Sequence, residues 1–209
     1  MKEKYDNVDE YIADLKQEIA GNEQCAIHQY NLGVALLSKR DFAGAEEALL
    51  EAVRNSPRLA EAYVQLGGIC LERGDLDGCL RYNEEAANSR AKFAIPYGNI
   101  AFVHIQRGEP DKAIKALQKA LKWEPKFVQA QNALATAYYM KGEDKECERI
   151  CRELLKQEPA FAPAWNNLAI ALFDQKRFEE AIEACDKAQS LGFEVPQGFL
   201  DELAQFRKK

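Results

Sequence analysis

The chain has 209 residues, 47% of them hydrophobic, and its 34 acidic and 28 basic side chains leave a net charge of −6. That balance argues against a sequence-independent grip on nucleic acid, which needs clustered Lys and Arg; the basic cluster Arg207-Lys208-Lys209 is too short to supply it. No run of 18 apolar residues is present, and Met1-Lys2-Glu3-Lys4-Tyr5-Asp6 leads into a charged helix rather than a secretory leader, so the expectation is a cytoplasmic protein with no membrane insertion.

In chain order, Asn7-Val8-Asp9-Glu10 has the spacing of a capping box and opens a first helix. Its apolar stripe is Val8, Tyr11, Ile12, Leu15 and Ile19, and Gly21 closes it. From Ala26 the sequence repeats every 34 residues, five times: Pro57, Ala91, Pro125, Pro159 and Phe193 fall in register, as do Ala45, Cys79, Ala113, Cys147 and Ala181. A fixed period of this length with small residues at fixed positions marks a helical solenoid. Each repeat holds two apolar stretches at helical spacing; in the fourth they are Ala130, Leu134, Ala137 and Tyr138, then Cys147, Ile150, Cys151 and Leu154. Between them sits a break, Arg73-Gly74-Asp75, Arg107-Gly108-Glu109 or Lys141-Gly142-Glu143, where Gly can close one helix and Asp75 can cap the next. Pro110 suits the first turn of a second helix. Repeats 1 and 5 carry Arg40-Asp41-Phe42 and Lys176-Arg177-Phe178 without Gly. Finally, Pro196 opens a helix with Phe199, Leu200, Leu203 and Phe206 on one side. A helix pair cannot bury its apolar face alone, so neighbours stack and the exposed ends need such polar-backed caps.

Numbered from Ala26, Ala60, Ala94, Val128 and Ala162, the repeats show an aromatic at phase 4 in Tyr63, Tyr97 and Trp165. Phase 7 is aliphatic in Leu32, Leu66, Ile100, Leu134 and Leu168, and phase 8 is small in Gly33, Gly67, Ala101, Ala135 and Ala169. With Pro at phase 32 in three repeats, residues 26–195 resemble the tetratricopeptide repeat family. The departures are Gln29 and Gln131 at phase 4, and Asn83, Cys151 and Cys185 at phase 24, which is usually large; they predict looser packing in repeats 2 and 4. The expected fold is all-α, a right-handed superhelical α-solenoid of antiparallel helix pairs with N-terminal and C-terminal capping helices. The expected divisions are a cap over 1–25, repeats over 26–59, 60–93, 94–127, 128–161 and 162–195, and a cap over 196–209.

The resemblance implies a concave groove lined by the first helix of each repeat through phases 2, 5, 6, 9, 12 and 13. Carried onto this chain, the candidate peptide-binding residues are Tyr30, Asn31, Val34, Gln65, Asn99, Phe102, Ile105, Asn132, Thr136, Tyr139, Asn166, Asn167, Ile170 and Phe173. Many are more apolar than a solvated face requires, which marks an interaction strip. Phase 12 can equally pack between adjacent first helices, or serve both purposes. Asn31, Gln65, Asn99 and Asn167 at phase 6 form a row of amides able to pair with a peptide backbone, each both donor and acceptor. The carboxylate clamp of chaperone-binding relatives needs Lys and Arg at positions held here by Tyr30, Val34, Gln65, Ile95 and Asn99, so the resemblance implies no capture of a free chaperone C-terminus.

No phosphate loop, His-Glu-x-x-His or Gly-x-Ser-x-Gly motif occurs, so no enzyme, catalytic residue or cofactor is expected. Of six cysteines, Cys70, Cys79, Cys147, Cys151 and Cys185 hold core phases as small packing residues; Cys25 is the sixth. His104 holds an internal phase and a structural role. The function expected is a protein–protein adaptor or assembly factor holding a peptide or amphipathic helix. The alternatives are a self-associating scaffold, that is a homo-oligomer, and a metal or redox sensor on Cys147 and Cys151, four residues apart on one helix but without a second ligand pair.

Overall fold

The computed structural model describes residues 7–207; residues 1–6, the start of the expected N-terminal cap, and residues 208–209, the end of the basic cluster, lie outside it. The described residues form twelve helices and no strand: α1 (Val8–Gly21), α2 (Ala26–Ser38), α3 (Phe42–Asn55), α4 (Ala60–Glu72), α5 (Leu76–Ser89), α6 (Ala94–Gln106), α7 (Pro110–Trp123), α8 (Val128–Met140), α9 (Asp144–Gln157), α10 (Ala162–Asp174), α11 (Phe178–Ser190) and α12 (Gln197–Ala204). They group into two compact units, Met1–Ile100 and Ala101–Lys209. In the first unit α1 packs on α2, α2 on α3, α3 on α4 and α4 on α5. In the second, α7 packs on α8, α8 on α9, α9 on α10, and α10 on α11, while α12 touches α11.

The helix starts follow local chemistry. The Asn7 side chain accepts the backbone N–H of Glu10 at 2.9 Å, and its amide reaches back to the Glu10 carboxylate. Asp41 and Asp75 cap α3 and α5 through the N–H groups of Gly44 and Gly78. The turn inside every repeat then closes in one way. In the second repeat Gly74 N–H donates to the Leu71 carbonyl and Asp75 N–H to the Cys70 carbonyl, the crossed pair of bonds that ends a helix on a left-handed residue. The same pair recurs at Gly108 and Gly142, and also at Arg40 and Lys176, whose φ angles of 60° and 62° are left-handed without the glycine that makes this conformation cheap.

The core lies between the two helices of each repeat. Phase 8 on the first helix is buried opposite phase 24 on the second: a Cβ added to Gly33 would lie 2.6 Å from the Leu49 Cγ, and one added to Gly67 would collide with the Asn83 amide. Asn83 is therefore not a sign of loose packing. It is fully buried, donates to the Cys79 carbonyl at 2.8 Å, and accepts from the Asn99 amide at 2.9 Å. Cys151 in the fourth repeat is likewise fully buried. Small side chains at phase 24 accompany close packing because the residues around them fill the space.

In the second unit an ion network ties α9 to the turn before α11. Glu148 accepts from Arg177 at 2.7 and 2.8 Å, from Arg152 at 2.8 Å and from Gln175 at 3.0 Å, and Glu180 bonds both arginines. Burial raises the Glu148 pKa, but the donors Arg152, Arg177 and Gln175 more than offset this and hold it below the ordinary carboxylate value.

Three outcomes are expected. Arg40→Gly and Lys176→Gly each raise the free energy of unfolding by about 0.5–1 kcal/mol, measured by urea titration, because strain in the folded backbone outweighs the added freedom of the unfolded one. Gly67→Ala lowers it by about 1–3 kcal/mol, since the new methyl must displace a buried, fully engaged amide. The Glu148 contribution is complete above the carboxylate's unfolded pKa of about 4.3 and is lost as pH falls through its lower folded value, so Glu148→Gln lowers Tm at pH 7 and flattens the fall in Tm between about pH 5 and pH 3.

Candidate functional site

The helices bearing the expected groove residues are α2 and α4 in the first unit and α8 and α10 in the second, with Asn99, Phe102 and Ile105 on α6. These helices are mostly apolar, so one face packs on the repeat partner and further apolar side chains are left on the other.

In the first unit Tyr30 and Gln65 meet across α2 and α4 through a side-chain hydrogen bond. Burial, and then the charge of Glu61, raise the Tyr30 phenol pKa, so the hydroxyl stays neutral and able to donate. Asn31 and Val34 are half-buried beside them on the same helix. Asn99 is also half-buried, but its amide is directed to Asn83 of α5, and one N–H and its oxygen remain for other partners.

In the second unit Asn167 on α10 donates to the Asn132 side-chain oxygen at 3.0 Å and to the Thr136 hydroxyl at 3.1 Å, both on α8. Thr136 in turn donates to the Asn132 carbonyl. Tyr139 is half-buried and hydrogen-bonded to Asp174; burial first, and the Asp174 charge second, raise its phenol pKa. Ile170 is half-buried, while Asn166 is buried with its side-chain oxygen unpartnered. Five candidates thus meet as cross-helix pairs or clusters: Tyr30 with Gln65, and Asn167 with Asn132 and Thr136.

Phe173 stands apart. Its ring lies edge-on to Phe178, Phe199 and Phe206 at centroid distances of 5.4, 5.5 and 5.9 Å, and Phe206 stacks on Phe178 at 3.6 Å. The C-terminal helix and the turn after it therefore pack on this ring, which is part of an aromatic cluster.

Sequence reasoning passed over several surface residues. Among the described residues, the exposed large hydrophobic side chains include Ile27, Leu71, Ile95, Phe102 and Met140, at phases 2, 12, 2, 9 and 13. All five fall on the expected groove positions, against three elsewhere, Val8, Leu50 and Phe206. Phe102 is among the candidates, whereas Ile27, Leu71, Ile95 and Met140 are not, although their phases carried the signal.

The cysteines are free, and Cys70, Cys79, Cys147, Cys151 and Cys185 are buried. Its hydrogen bond donated to Cys147, and burial, push the Cys151 thiol far up, away from the thiolate that metal binding or redox chemistry needs. His104 is mostly buried with its Nδ1 2.7 Å from Glu109, in the structural position expected of it. No described helix is long and apolar enough to cross a membrane.

Models of the tetratricopeptide repeat match residues 12–60, 30–92, 104–163 and 162–191. No curated protein matches the chain. Similar solved structures include YrrB, a TPR protein with an unusual peptide-binding site, at 20% identity over 85% of this chain and 92% of that one, TM-score 0.72. They also include PilF of Pseudomonas aeruginosa, at 15% identity over 89% and 86%, TM-score 0.76, and MamA, at 20% identity over 79% and 91%, TM-score 0.70. At such identities the likeness shows the fold alone. With its helix pairs, its repeated turn and the matches to the repeat models, the chain belongs to the tetratricopeptide repeat family of protein-interaction modules.

Proposed function

We propose that this protein is a non-catalytic adaptor or assembly factor that holds a peptide or amphipathic helix of a partner along the first helices of its repeats. One observation carries this reading: Ile27, Leu71, Ile95, Phe102 and Met140 keep large apolar surface in water, all at groove phases. Leaving such side chains exposed forgoes about 25 cal/mol for each Å² that burial would remove from water, and a partner recovers it. The Tyr30–Gln65 pair and the Asn167–Asn132–Thr136 cluster supply donors and acceptors already held in place, so fewer rotamers need ordering on binding. Burial of several anchors after these costs supports micromolar affinity, about −8 kcal/mol. Phe173 serves this reading as the floor under α12 rather than as an anchor, because aromatic rings already cover it.

The test is affinity capture with quantitative mass spectrometry on the full chain. Ile95→Glu with Phe102→Glu, and separately Ile27→Glu with Leu71→Glu, are compared with Leu50→Glu, an exposed apolar position off the groove. Partners retained by the wild type and by Leu50→Glu, and reduced about tenfold or more by either groove pair, are the expected result. Equal retention by every variant sinks the groove reading. A concentration-dependent rise in mass by light scattering that only the groove variants lose would replace it with self-association.

A further inference from the structure

A second surface lies on the face of α2 opposite the groove. Phases 4, 7 and 11 point about 180° away from phases 2, 5, 6, 9, 12 and 13 at 100° per residue. There, Gln29, Leu32 and Leu36 of α2 meet α1 and α3 around a cleft of about 300 Å³. Its apolar floor is Leu32, Leu36 and Ala48. Three carboxylates, Asp41, Glu47 and Glu51, line it against a single cation, Lys16.

The second unit contains an internal counterpart. Every position of a cleft lined by Arg152, Trp165, Leu168, Leu172, Glu180 and Lys187 lies 136 residues, four periods, after its partner in the first. There the phase 4 residue is Trp165, whose indole N–H donates to the Pro159 carbonyl at 2.8 Å. There too a guanidinium is already seated: Arg152 bonds Glu180 at 3.0 Å and Glu148 at 2.8 Å.

In the first unit that arrangement is undone residue by residue. Gln29 replaces the tryptophan; it is only 9% exposed, and its side chain makes no hydrogen bond among the described residues. Lys16 replaces the arginine, and Gly44 stands where Glu180 would pair with it. Neither Lys16 nor Glu47 forms an ion pair among the described residues. Asp41 uses one oxygen on the Gly44 N–H, and Glu51 pairs with Arg54. The Gln29 carboxamide lines this negative, apolar-floored cleft without a hydrogen-bond partner among the described residues.

We propose that this cleft takes an arginine side chain of a partner protein. Its methylene stem lies on Leu32, Leu36 and Ala48, and its guanidinium donates to the Gln29 side-chain oxygen and to Glu47 and Glu51. The planar fork suits this mixed set of acceptors better than an ammonium does. The site is separate from the groove and does not depend on the groove reading.

The probe is the peptide acetyl-Gly-Arg-Gly-amide, titrated into the ¹⁵N-labelled full chain, with the citrulline peptide as the neutral isostere. The expected result is saturable shifts of the Gln29 side-chain amide and the Gly44 N–H with the arginine peptide, about tenfold weaker with citrulline. Glu47→Gln with Glu51→Gln weakens binding about tenfold, and Lys16→Ala tightens it about two- to threefold by removing the competing cation. Gln29→Trp installs the residue found at the equivalent cleft, so it keeps the fold while removing the Gln29 acceptor, and abolishes the Gly44 shift. Equal binding of the citrulline peptide, a Gly44 shift that persists in Gln29→Trp, or no saturable shift at all would each overturn the proposal.

Discussion

The two helices of a repeat approach so closely that, in the first two repeats, a missing Cβ on one is matched by a specific side chain on the other. Gly33 sits against Leu49 and Gly67 against Asn83, while Ala101, Ala135 and Ala169 occupy the same buried phase in later repeats. The rest of the architecture depends on this contact. It sets the separation of the helix pair, and with it the short turn and the surface that each first helix has left to offer. The turn must then reverse the chain in three residues, and it does so on a left-handed residue in every repeat, even where Arg40 and Lys176 make that conformation expensive. Sterics at the interface thus take precedence over local backbone preference.

The same constraint explains why polar and small residues in the core do not loosen it. Asn83 brings an amide where another repeat has Leu49, and the amide is satisfied by Cys79 and Asn99. A buried polar group with all its bonds made is compatible with dense packing, whereas one left without a partner is a cost. Gln29 and Gln131 differ at another phase, although the Gln131 side-chain oxygen is itself buried without a partner. Gln131 reaches the Pro125 carbonyl, as Trp165 reaches that of Pro159, whereas Gln29 finds no such partner. Substitutions at one repeat position therefore diverge in consequence according to what their neighbours offer.

The surface separates into kinds of chemistry along the same periodicity. The groove phases hold exposed apolar anchors beside prearranged amide and hydroxyl pairs. The ends are finished differently: α12 and its following turn close over Phe173 with aromatic rings, while α1 meets the first repeat beside a cleft rich in carboxylates. Cys147 and Cys151 both sit in the interior as small packing residues, and at Cys151 burial helps keep the thiol neutral.

Much of this was legible in the sequence. The 34-residue period, the small phases, the glycines past the first helices and the acidic caps follow from local sterics and hydrogen bonding, which act between residues near in sequence. Helix starts at Ala26, Ala60, Ala94, Val128 and Ala162 could be read from that repetition. What the chain could not announce was pairing between residues 16 to 35 positions apart. That Asn99 would turn to Asn83, Asn167 to Asn132 and Phe173 to the end of the chain depends on which rotamers fit once the helices have packed. The period says which face a side chain occupies; only the packed structure decides whether that side chain is spent on a neighbour or left for a partner.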